Sequence, residues 1–325
     1  MPNPRVSVCI PVYNLESYIA ETLDSLKAQT YKDFEAIIVD DGSTDRSEEI
    51  IAAYLDDPRF RYIRQENGGV ARARETAVAA AKGEWFAHLD GDDIWMPDKL
   101  ERQIALADSD SRTNLIYSNA IVFCEDGSEH ILYKKPMPQG DITRHIYFDC
   151  FLCTSSVMVK TADIAAVGGY PILQFGEDYT LWLRIARKGV WAQMCMDPLV
   201  RYRIRGNSQV SSRLANLRDQ VTIMSDALSR EDRPHLARIL RSGICRVKRN
   251  EAYELARIAA RGEEGDIERL LWQSWNCSKQ GIKRLCMAML VSMSRITHIP
   301  NGRECAIRLL QVRTPREIAD QNTSS

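Results

Sequence analysis

Acidic residues directly follow two apolar runs of this sequence, at points where a buried strand would end. Residues 85–89 (WFAHL) are followed by 90–93 (DGDD), and residues 34–39 (FEAIIV) are followed by 40–43 (DDGS). Crowded carboxylates raise one another's pKa unless a cation compensates their charge. Oxygen ligands suit magnesium or manganese, and magnesium is usually held by one or two carboxylates together with substrate phosphates. These aspartates therefore indicate a divalent metal ion that carries a phosphorylated ligand.

Short apolar runs alternate with helical patterns through the first two hundred residues. This β-α-β-α order predicts an α/β fold, with a largely parallel sheet and helices on both of its faces. In such a sheet ligands bind at the carboxyl ends of the strands, which is where both acidic clusters would lie. The predicted strands are 6–10, 34–39, 61–64 and 85–89, and the predicted helices are 18–28, 70–82 and one that begins at 45–48.

The pattern loosens after residue 110 and changes again after residue 212. Between these points we predict strands at 115–123, 155–160 and 190–196 and a helix at 180–188. Beyond them only helical patterns occur, at 214–228, 235–261 and 266–294. We therefore expect two domains, an α/β domain at 1–212 and a helical C-terminal domain at 213–325.

The turn after the first predicted strand excludes two common phosphate-binding motifs. Residues 11–17 (PVYNLES) contain no glycine, so the GxGxxG motif of dinucleotide-binding proteins is absent, and the chain has no GxxxxGK[ST] P-loop. A diphosphate would have to be held by the metal and by basic side chains. Arg72 and Arg74, near the start of the helix predicted at 70–82, are candidates, and the alternative for each is a solvated helix face.

A third acidic pair, Glu177 and Asp178, precedes another predicted helix. A carboxylate at this position is stabilised by the helix dipole. It could act as a general base that takes a proton from an attacking hydroxyl group, and the alternative is a helix cap. Capping explains Asp45 better, because Glu48 follows it three residues later. For Asp93 a structural role and a role in metal binding both remain open.

Five segments, in the order found in the family, resemble the family 2 glycosyltransferases with the GT-A fold. The resemblance covers the predicted first domain and does not extend over the helical C-terminal residues. The segments are a first strand and turn at 6–14 (VSVCIPVYN), a uridine-binding stretch at 37–45 (IIVDDGSTD), an N-x-G-x-x-x-A-R element at 67–74 (NGGVARAR), a DxD metal motif at 89–93 (LDGDD), and an acceptor region at 168–184 that includes an ED motif.

This resemblance implies an inverting transfer of sugar from a nucleotide-sugar, with UDP as the favoured nucleotide. The acceptor would be a hydroxyl group of a glycan or a lipid-linked glycan, as in bacterial surface polysaccharide synthesis. By the same resemblance, Asp178 would deprotonate the acceptor hydroxyl, and Glu177 would orient the acceptor or the base. The Q-x-x-R-W element of processive relatives is absent, so we expect one sugar to be added to each acceptor.

The resemblance also implies a donor site. Asp41 would hydrogen-bond the nucleobase, and Arg74 would lie near the nucleotide. Asp90 would approach the ribose and metal-bound water, and Asp92 would ligate the metal, Mn²⁺ or Mg²⁺. The residues that line the nucleobase pocket would be Pro11, Val12 and Tyr13.

Two positions depart from the family pattern. Glu75 stands where the A-R-N element usually has asparagine, and Arg205 stands where a histidine is common. A charged arginine cannot ligate a metal, but its planar guanidinium can neutralise a phosphate through two hydrogen bonds. Our hypothesis is that Arg205 grips the diphosphate and leaves the metal more open.

Charge is unevenly distributed along the chain. The 325 residues have a net charge of −1, but residues 1–200 carry −11 and residues 201–325 carry +10. A basic C-terminal part favours an anionic partner, and residues 283–295 (KRLCMAMLVSMSR) fit either a core helix or an interfacial helix on an anionic membrane. No signal peptide or membrane-spanning run is visible, and nine scattered cysteines suit reduced thiols. We expect a cytoplasmic protein, with peripheral contact at the inner face of the cell membrane if that helix binds lipid, and no nucleic-acid partner.

Two other classes of protein use similar residues. A nucleotidyltransferase would usually carry a glycine-rich, basic loop after its first strand, which residues 11–17 do not provide. A non-catalytic nucleotide-sugar binder, or a scaffold with a degenerate site, is the second alternative. The joint presence of Asp41, Asp92 and Asp178 argues against degeneration, whereas Glu75 and Arg205 keep this alternative open.

Overall fold

The computed structural model describes residues 3–173, 176–205 and 213–260 of the chain. The chain divides into two compact units, residues 1–211 and residues 212–325. The described part of the first unit contains a mixed sheet and its covering helices, and the described part of the second contains helices.

The sheet of the first unit has ten strands in the described residues. Its central strands run in the order β3-β2-β1-β4-β9-β6-β10-β5, with β7 paired to β6 and β8 paired to β10. The strands are β1 Val6–Val12, β2 Phe34–Asp40, β3 Phe60–Arg64, β4 Trp85–His88, β5 Ile94–Trp95, β6 Leu115–Cys124, β7 Glu129–Ile131, β8 Gly140–Asp141, β9 Met158–Lys160 and β10 Trp191–Ile204.

The N-terminal half of this sheet is parallel, as predicted. β1 pairs with both β2 and β4, and β2 pairs with β3, in each case in parallel. Every residue of β1 and β2 is buried, which fits strands that are covered on both faces. The prediction of an α/β fold with a largely parallel sheet is therefore confirmed.

Seven helices connect the strands in the described part of the first unit. The sequence predicted α1, α2, α3 and α7, while α4, α5 and α6 were not predicted. Short helices such as α5 and α6 bury few side chains and so leave little periodic signal. The helices are α1 Ile19–Lys27, α2 Ser47–Ala52, α3 Val70–Ala80, α4 Lys99–Ser109, α5 Thr143–Phe148, α6 Thr161–Ala166 and α7 Glu177–Lys188.

Two strands differ from the prediction in length and direction. The strand predicted at 155–160 is shorter, because Thr154–Ser156 form a 3₁₀ turn and β9 follows it. β9 runs antiparallel between β4 and β6. The strand predicted at 190–196 continues to Ile204 as β10, and its register shifts around Pro198. A bulge lets a strand accommodate a proline, which lacks the N–H that the ladder needs.

The described part of the second unit consists of α8 Arg213–Ser229 and α9 Pro234–Ala260, which pack against each other. Their contact buries apolar side chains such as Met224 and Leu240. The helices predicted at 214–228 and 235–261 correspond to these two, and the helix predicted at 266–294 lies outside the described residues, as does the basic apolar stretch 283–295. Among the helices of the described residues, none combines the length and the hydropathy that a membrane-spanning segment requires.

Candidate functional site

The two acidic clusters lie at the carboxyl edge of the parallel part of the sheet, after two strands that flank β1. β1 lies between β2, which leads to Asp41, and β4, which leads to Asp90. The turns after β1 and β2 are joined by hydrogen bonds, because Asn14 N donates to Ser43 Oγ at 3.0 Å and Thr44 N donates to Asn14 Oδ1 at 2.8 Å. The parallel topology thus places the two acidic clusters, which lie about fifty residues apart in the chain, at the same edge of the sheet.

Asp41 is a buried carboxylate that holds the loop in front of α3. Its Oδ1 accepts hydrogen bonds from Gln65 Nε2 at 2.6 Å and Gly68 N at 3.0 Å, and its Oδ2 accepts one from Gly69 N at 2.7 Å. Gly69 has φ +85°, a conformation that glycine adopts without strain. The predicted donor residue therefore shapes the approach to the helix that carries Arg74.

The three residues predicted to line a nucleobase pocket differ in exposure. Pro11 and Val12 are buried, and Val12 packs in the hydrophobic core. The Tyr13 ring is 49% exposed. Of these three side chains, Tyr13 is the one that an incoming ligand would meet first.

Arg74 joins the two halves of the candidate site, which are the acidic turn after β4 and the acidic pair at the start of α7. Its Nη2 donates to Asp90 Oδ1 at 2.6 Å, and its Nη1 donates to Glu177 Oε1. Burial opposes the charge of Arg74, but Asp90 and then Glu177 raise its pKa well above the usual value. The guanidinium is thus a charged bridge between Asp90, in the turn after β4, and Glu177, at the start of α7. Arg72, the other predicted basic candidate, is exposed.

Arg205 and Arg203 approach the acidic cluster from the end of β10. Arg205 Nε lies 2.7 Å from Asp92 Oδ2, so the two side chains form an ion pair. Arg203 Nε donates to the backbone oxygen of Asp92 at 2.8 Å, and Arg203 N donates to Asp93 Oδ1 at 2.8 Å. Burial, followed by Asp90 and Asp92, raises the pKa of Asp93 well above its usual value. Asp93 thus ties β10 to the acidic turn.

Asp90 and Asp92 fit a divalent ion. Both keep part of their side chains exposed, 27% and 15%. Burial and then the charge of Asp90 raise the pKa of Asp92, which is the repulsion that a bound cation removes. Within residues 3–173, 176–205 and 213–260, no three His, Cys, Asp or Glu side chains are grouped as metal ligands. Two carboxylates that share magnesium with substrate phosphates are nevertheless a usual arrangement.

The acidic pair at the start of α7 has two different environments. Glu177 is 5% exposed and is paired with Arg74. Burial raises the pKa of Glu177, while Arg74 lowers it. Asp178 is partly exposed, and its two oxygens accept hydrogen bonds from Thr154 Oγ1 and Tyr179 N, both at 2.6 Å. A carboxylate that is oriented and open to solvent is suited to accept a proton.

Glu75, the first departure from the family pattern, contacts the glycine-rich turn that precedes α7. Its Oε2 accepts a hydrogen bond from Tyr170 N at 2.6 Å. Gly169 has φ +75°, and a side chain there would meet the Glu75 carboxylate at 2.5 Å. The Tyr170 hydroxyl in turn hydrogen-bonds His88 Nε2. Glu75 therefore has a structural partner in this chain.

Sequence reasoning missed the turn Thr154–Ser156, because the strand predicted at 155–160 included its last two residues. Thr154 donates to Asp178, and Ser155 Oγ donates to Asp93 Oδ2 at 2.5 Å. The available signal was three consecutive hydroxyl residues in front of the apolar residues of β9. Such residues are common in turns, where their side chains bond nearby polar groups, and are less typical of a buried strand.

Comparison with known proteins identifies similar chains. The family model described as "Glycosyl transferase family 2" matches residues 7–160. The putative teichuronic acid biosynthesis glycosyltransferase TuaG of Bacillus subtilis is 30% identical over 215 residues, which cover 65% of this chain and 83% of TuaG. The uncharacterized glycosyltransferase RT0329 of Rickettsia typhi is 31% identical over 195 residues, which cover 57% of this chain and 59% of that protein. This chain thus spans less than two thirds of the length of that relative.

Two solved structures have a similar fold. S. aureus TarS 1-349, in complex with UDP-GlcNAc, superposes with a TM-score of 0.67 at 21% identity and covers 96% of this chain and 93% of TarS 1-349. The mannosyltransferase PcManGT from Pyrobaculum calidifontis, in complex with GDP-Man and Mn²⁺, gives a TM-score of 0.60 at 20% identity. This alignment covers 99% of this chain and 88% of PcManGT.

Proposed function

Since the chain belongs to glycosyl transferase family 2 and has the GT-A fold, we propose that it transfers one sugar from a nucleotide-diphosphate sugar to a hydroxyl group of a glycan or lipid-linked glycan. The reaction would serve bacterial surface polysaccharide synthesis, as the name of the relative TuaG suggests. The observation that carries this proposal is the position of Arg74, which binds Asp90 on the donor side and Glu177 on the acceptor side. A transferase needs both sides within reach of one reacting bond.

A UDP-sugar is the favoured donor. The structural neighbour TarS binds UDP-GlcNAc, whereas PcManGT binds GDP-Man. Asp41 Oδ2 accepts one hydrogen bond from Gly69, and a carboxylate oxygen has a second lone pair that can accept a nucleobase N–H. In this proposal Tyr13 covers the base, with Pro11 and Val12 supporting it from the core side.

The diphosphate would be held by a metal ion and by arginine. Asp92 and Asp90 would hold Mn²⁺ or Mg²⁺, and such an ion supplies charge neutralisation to the diphosphate leaving group. Arg205 lies against Asp92 and would turn its guanidinium toward a phosphate when donor binds. Planar guanidinium groups bind phosphate oxygens in pairs, which fits Arg205 for this contact.

Asp178 would act as the general base of an inverting transfer. The acceptor hydroxyl would give its proton to the Asp178 carboxylate while its oxygen forms a bond to the anomeric carbon. The bond between that carbon and the diphosphate would break on the opposite face, so the configuration would be inverted. Glu177, which is held by Arg74, would keep the start of α7 in register with Asp90.

The catalytic residues would all belong to a domain at 1–212, with the helical domain at 213–325 serving association. The described part of that second domain exposes Arg238 and Arg241 on α9, and its residues contribute to the positive charge of the C-terminal part. We propose peripheral contact with the inner face of the cell membrane. Flotation of the full chain with vesicles that contain phosphatidylglycerol should show binding that salt weakens, and no binding would contradict this contact.

Donor turnover tests the proposed activity. The protein is incubated with manganese and a panel of UDP-glucose, UDP-galactose, UDP-GlcNAc and GDP-mannose, and release of nucleoside diphosphate is followed. We expect slow release from one donor, with loss of release in EDTA and in Asp92→Ala. Asp178→Asn should reduce release to a low residual rate and leave donor binding unchanged.

The second candidate, a non-catalytic nucleotide-sugar binder, rests on the ion pair that already occupies one side of Asp92. It predicts a thermal shift on addition of one nucleotide-sugar, without release of nucleoside diphosphate from it. If no member of the panel is turned over and none shifts the melting temperature, both candidate functions are wrong.

A further inference from the structure

The turn Thr154–Ser156 has hydroxyl groups that reach both halves of the candidate site. Thr154 Oγ1 donates to Asp178 Oδ2 at 2.6 Å. Ser155 Oγ donates to Asp93 Oδ2 at 2.5 Å and accepts a hydrogen bond from Asp90 N at 3.1 Å. One short segment is therefore bonded to the acidic turn after β4 and to the acidic pair of α7.

Buried side chains hold this turn in place through hydrogen bonds to its backbone. Trp95 Nε1 donates to Ser155 O at 2.9 Å, and Gln103 Nε2 donates to Ser156 O at 2.8 Å. Ser155 and Ser156 are fully buried. Fully buried groups with satisfied hydrogen bonds have little freedom to move, so the Thr154 hydroxyl projects from a rigid support.

Asp178 is held at both of its oxygens. Tyr179 N fixes Oδ1 and the Thr154 hydroxyl fixes Oδ2. Two donors at different oxygens set the rotation of the carboxylate plane, which determines where its free lone pairs point. Thr154 keeps its own proton in this arrangement, because the carboxylate is the acceptor in the bond.

We propose that Thr154 is a positioning residue for the base Asp178, and that Thr154 and Ser155 together set the distance between this base and the donor-side carboxylates. This proposal rests on the function proposed above, in which Asp178 takes the proton of the attacking hydroxyl. A displacement of about 1 Å in a reacting group can reduce turnover about a hundredfold, so a lost orienting bond should affect kcat.

Three variants separate positioning from general stability. Thr154→Val keeps the shape of the side chain and removes the donor, whereas Thr154→Ser keeps the hydroxyl. Ser156→Ala is the matched control, because Ser156 Oγ donates to Cys153 O at 2.7 Å and, within the described residues, hydrogen-bonds no carboxylate of the site. Each variant is compared with the wild-type chain by its urea unfolding midpoint.

The assay is release of nucleoside diphosphate from the donor that the panel identifies, with water as the acceptor, together with donor affinity by calorimetry. Thr154→Val should lower kcat about 10- to 100-fold and leave the donor KM and affinity within about twofold. Thr154→Ser should return kcat to within about threefold of wild type, and Ser156→Ala should stay within the same range. In an Asp178→Asn chain, Thr154→Val should cause no further loss, because both changes remove the same function.

Other outcomes overturn the assignment. Wild-type kcat in Thr154→Val would show that the bond to Asp178 is not used. Equal losses in Thr154→Val and Ser156→Ala would show that the turn acts only through the fold. In both cases the wild-type enzyme still turns over its donor, so the proposed function stands. A wild-type chain that releases no nucleoside diphosphate from any donor overturns the proposed function, and the role of Thr154 with it.

Discussion

Replacement of Arg74 by methionine should leave two carboxylates without their cation in the interior of the first unit. The Arg74 side chain is 5% exposed and that of Glu177 is 6% exposed, whereas Asp90 keeps 27%. Methionine is flexible and fills irregular space, but it has no charge and no hydrogen-bond donor. The variant therefore separates the loss of charge from most of the loss of packing.

The expected loss follows from the burial of the pair. Removal of one partner of a buried ion pair costs about 3–5 kcal/mol, because the other charge remains in a site that water does not reach. Glu177 should account for most of this cost, since solvent screens the more exposed Asp90. For the first unit, a loss of this size lowers the melting temperature by roughly 6–20 °C.

The loss should also depend on pH in a defined direction. Burial raises the pKa of Glu177 above its ordinary value of 4.5, and Arg74 opposes this rise. Without Arg74, Glu177 takes up a proton at a higher pH, and the neutral acid needs no cation. The difference in unfolding free energy between Arg74→Met and wild type is therefore largest near pH 7 and decreases as the pH falls toward 4.5.

Urea unfolding followed by tryptophan fluorescence measures this difference, because Trp85 and Trp182 are buried in the core of the first unit. Arg72→Met is the matched control, since Arg72 lies on the same helix and is exposed, and it should stay within about 0.5 kcal/mol of wild type. An Arg74→Met chain as stable as this control at pH 7, or a loss that grows with acid, would refute the reasoning.

Three further predictions concern other parts of the site. Arg205→Ala should weaken binding of UDP about 10-fold or more, because a charge-assisted hydrogen bond contributes about 1.5–3 kcal/mol. Unchanged UDP affinity by calorimetry would contradict the contact between Arg205 and the diphosphate. Gly169→Ala should lose about 1–3 kcal/mol in thermal unfolding, because φ there is +75° and the new Cβ lies 2.5 Å from the Glu75 carboxylate. Adding Glu75→Ala should restore part of that loss, and no restoration would show that the backbone alone causes it. Burial lowers the pKa of His88 from 6.5 to about 3, so only the unfolded chain binds that proton between these values. The free energy of unfolding therefore decreases by up to about 5 kcal/mol as the pH falls from 6.5 toward 3, because the unfolded chain gains a proton that the folded chain does not bind. His88→Gln should flatten this part of the pH profile of urea unfolding.

Local pattern in the sequence was sufficient for the central part of the fold. The apolar runs that became β1, β2 and β4 are too continuous for strands with one solvated face, and helical periods separate them. A parallel sheet follows from this alternation, and the residues that directly follow its strands must then lie at its carboxyl edge. For this reason the sequence alone was sufficient to assign Asp41 and Asp90 to that edge.

Contacts between distant residues had to come from the tertiary structure. Arg74 and Glu177 are 103 residues apart, and Arg203 and Asp93 are 110 apart. Hydrophobic period reports which side of an element is buried, but it carries no information on which elements meet. The antiparallel insertion of β9 between β4 and β6 brings the turn Thr154–Ser156 beside the acidic residues.

The types of residue at the site followed from the sequence, whereas the contacts between them followed from the tertiary structure. The sequence by itself determined that carboxylates end two buried strands and that arginine occupies position 205, which defines the chemistry available at the site. Tertiary structure decided that Arg205 faces Asp92 and that Thr154 orients Asp178. The physical reason is that charge, burial and hydrogen bonding depend on distances of a few ångströms, and chain folding alone sets these distances between residues so far apart in sequence.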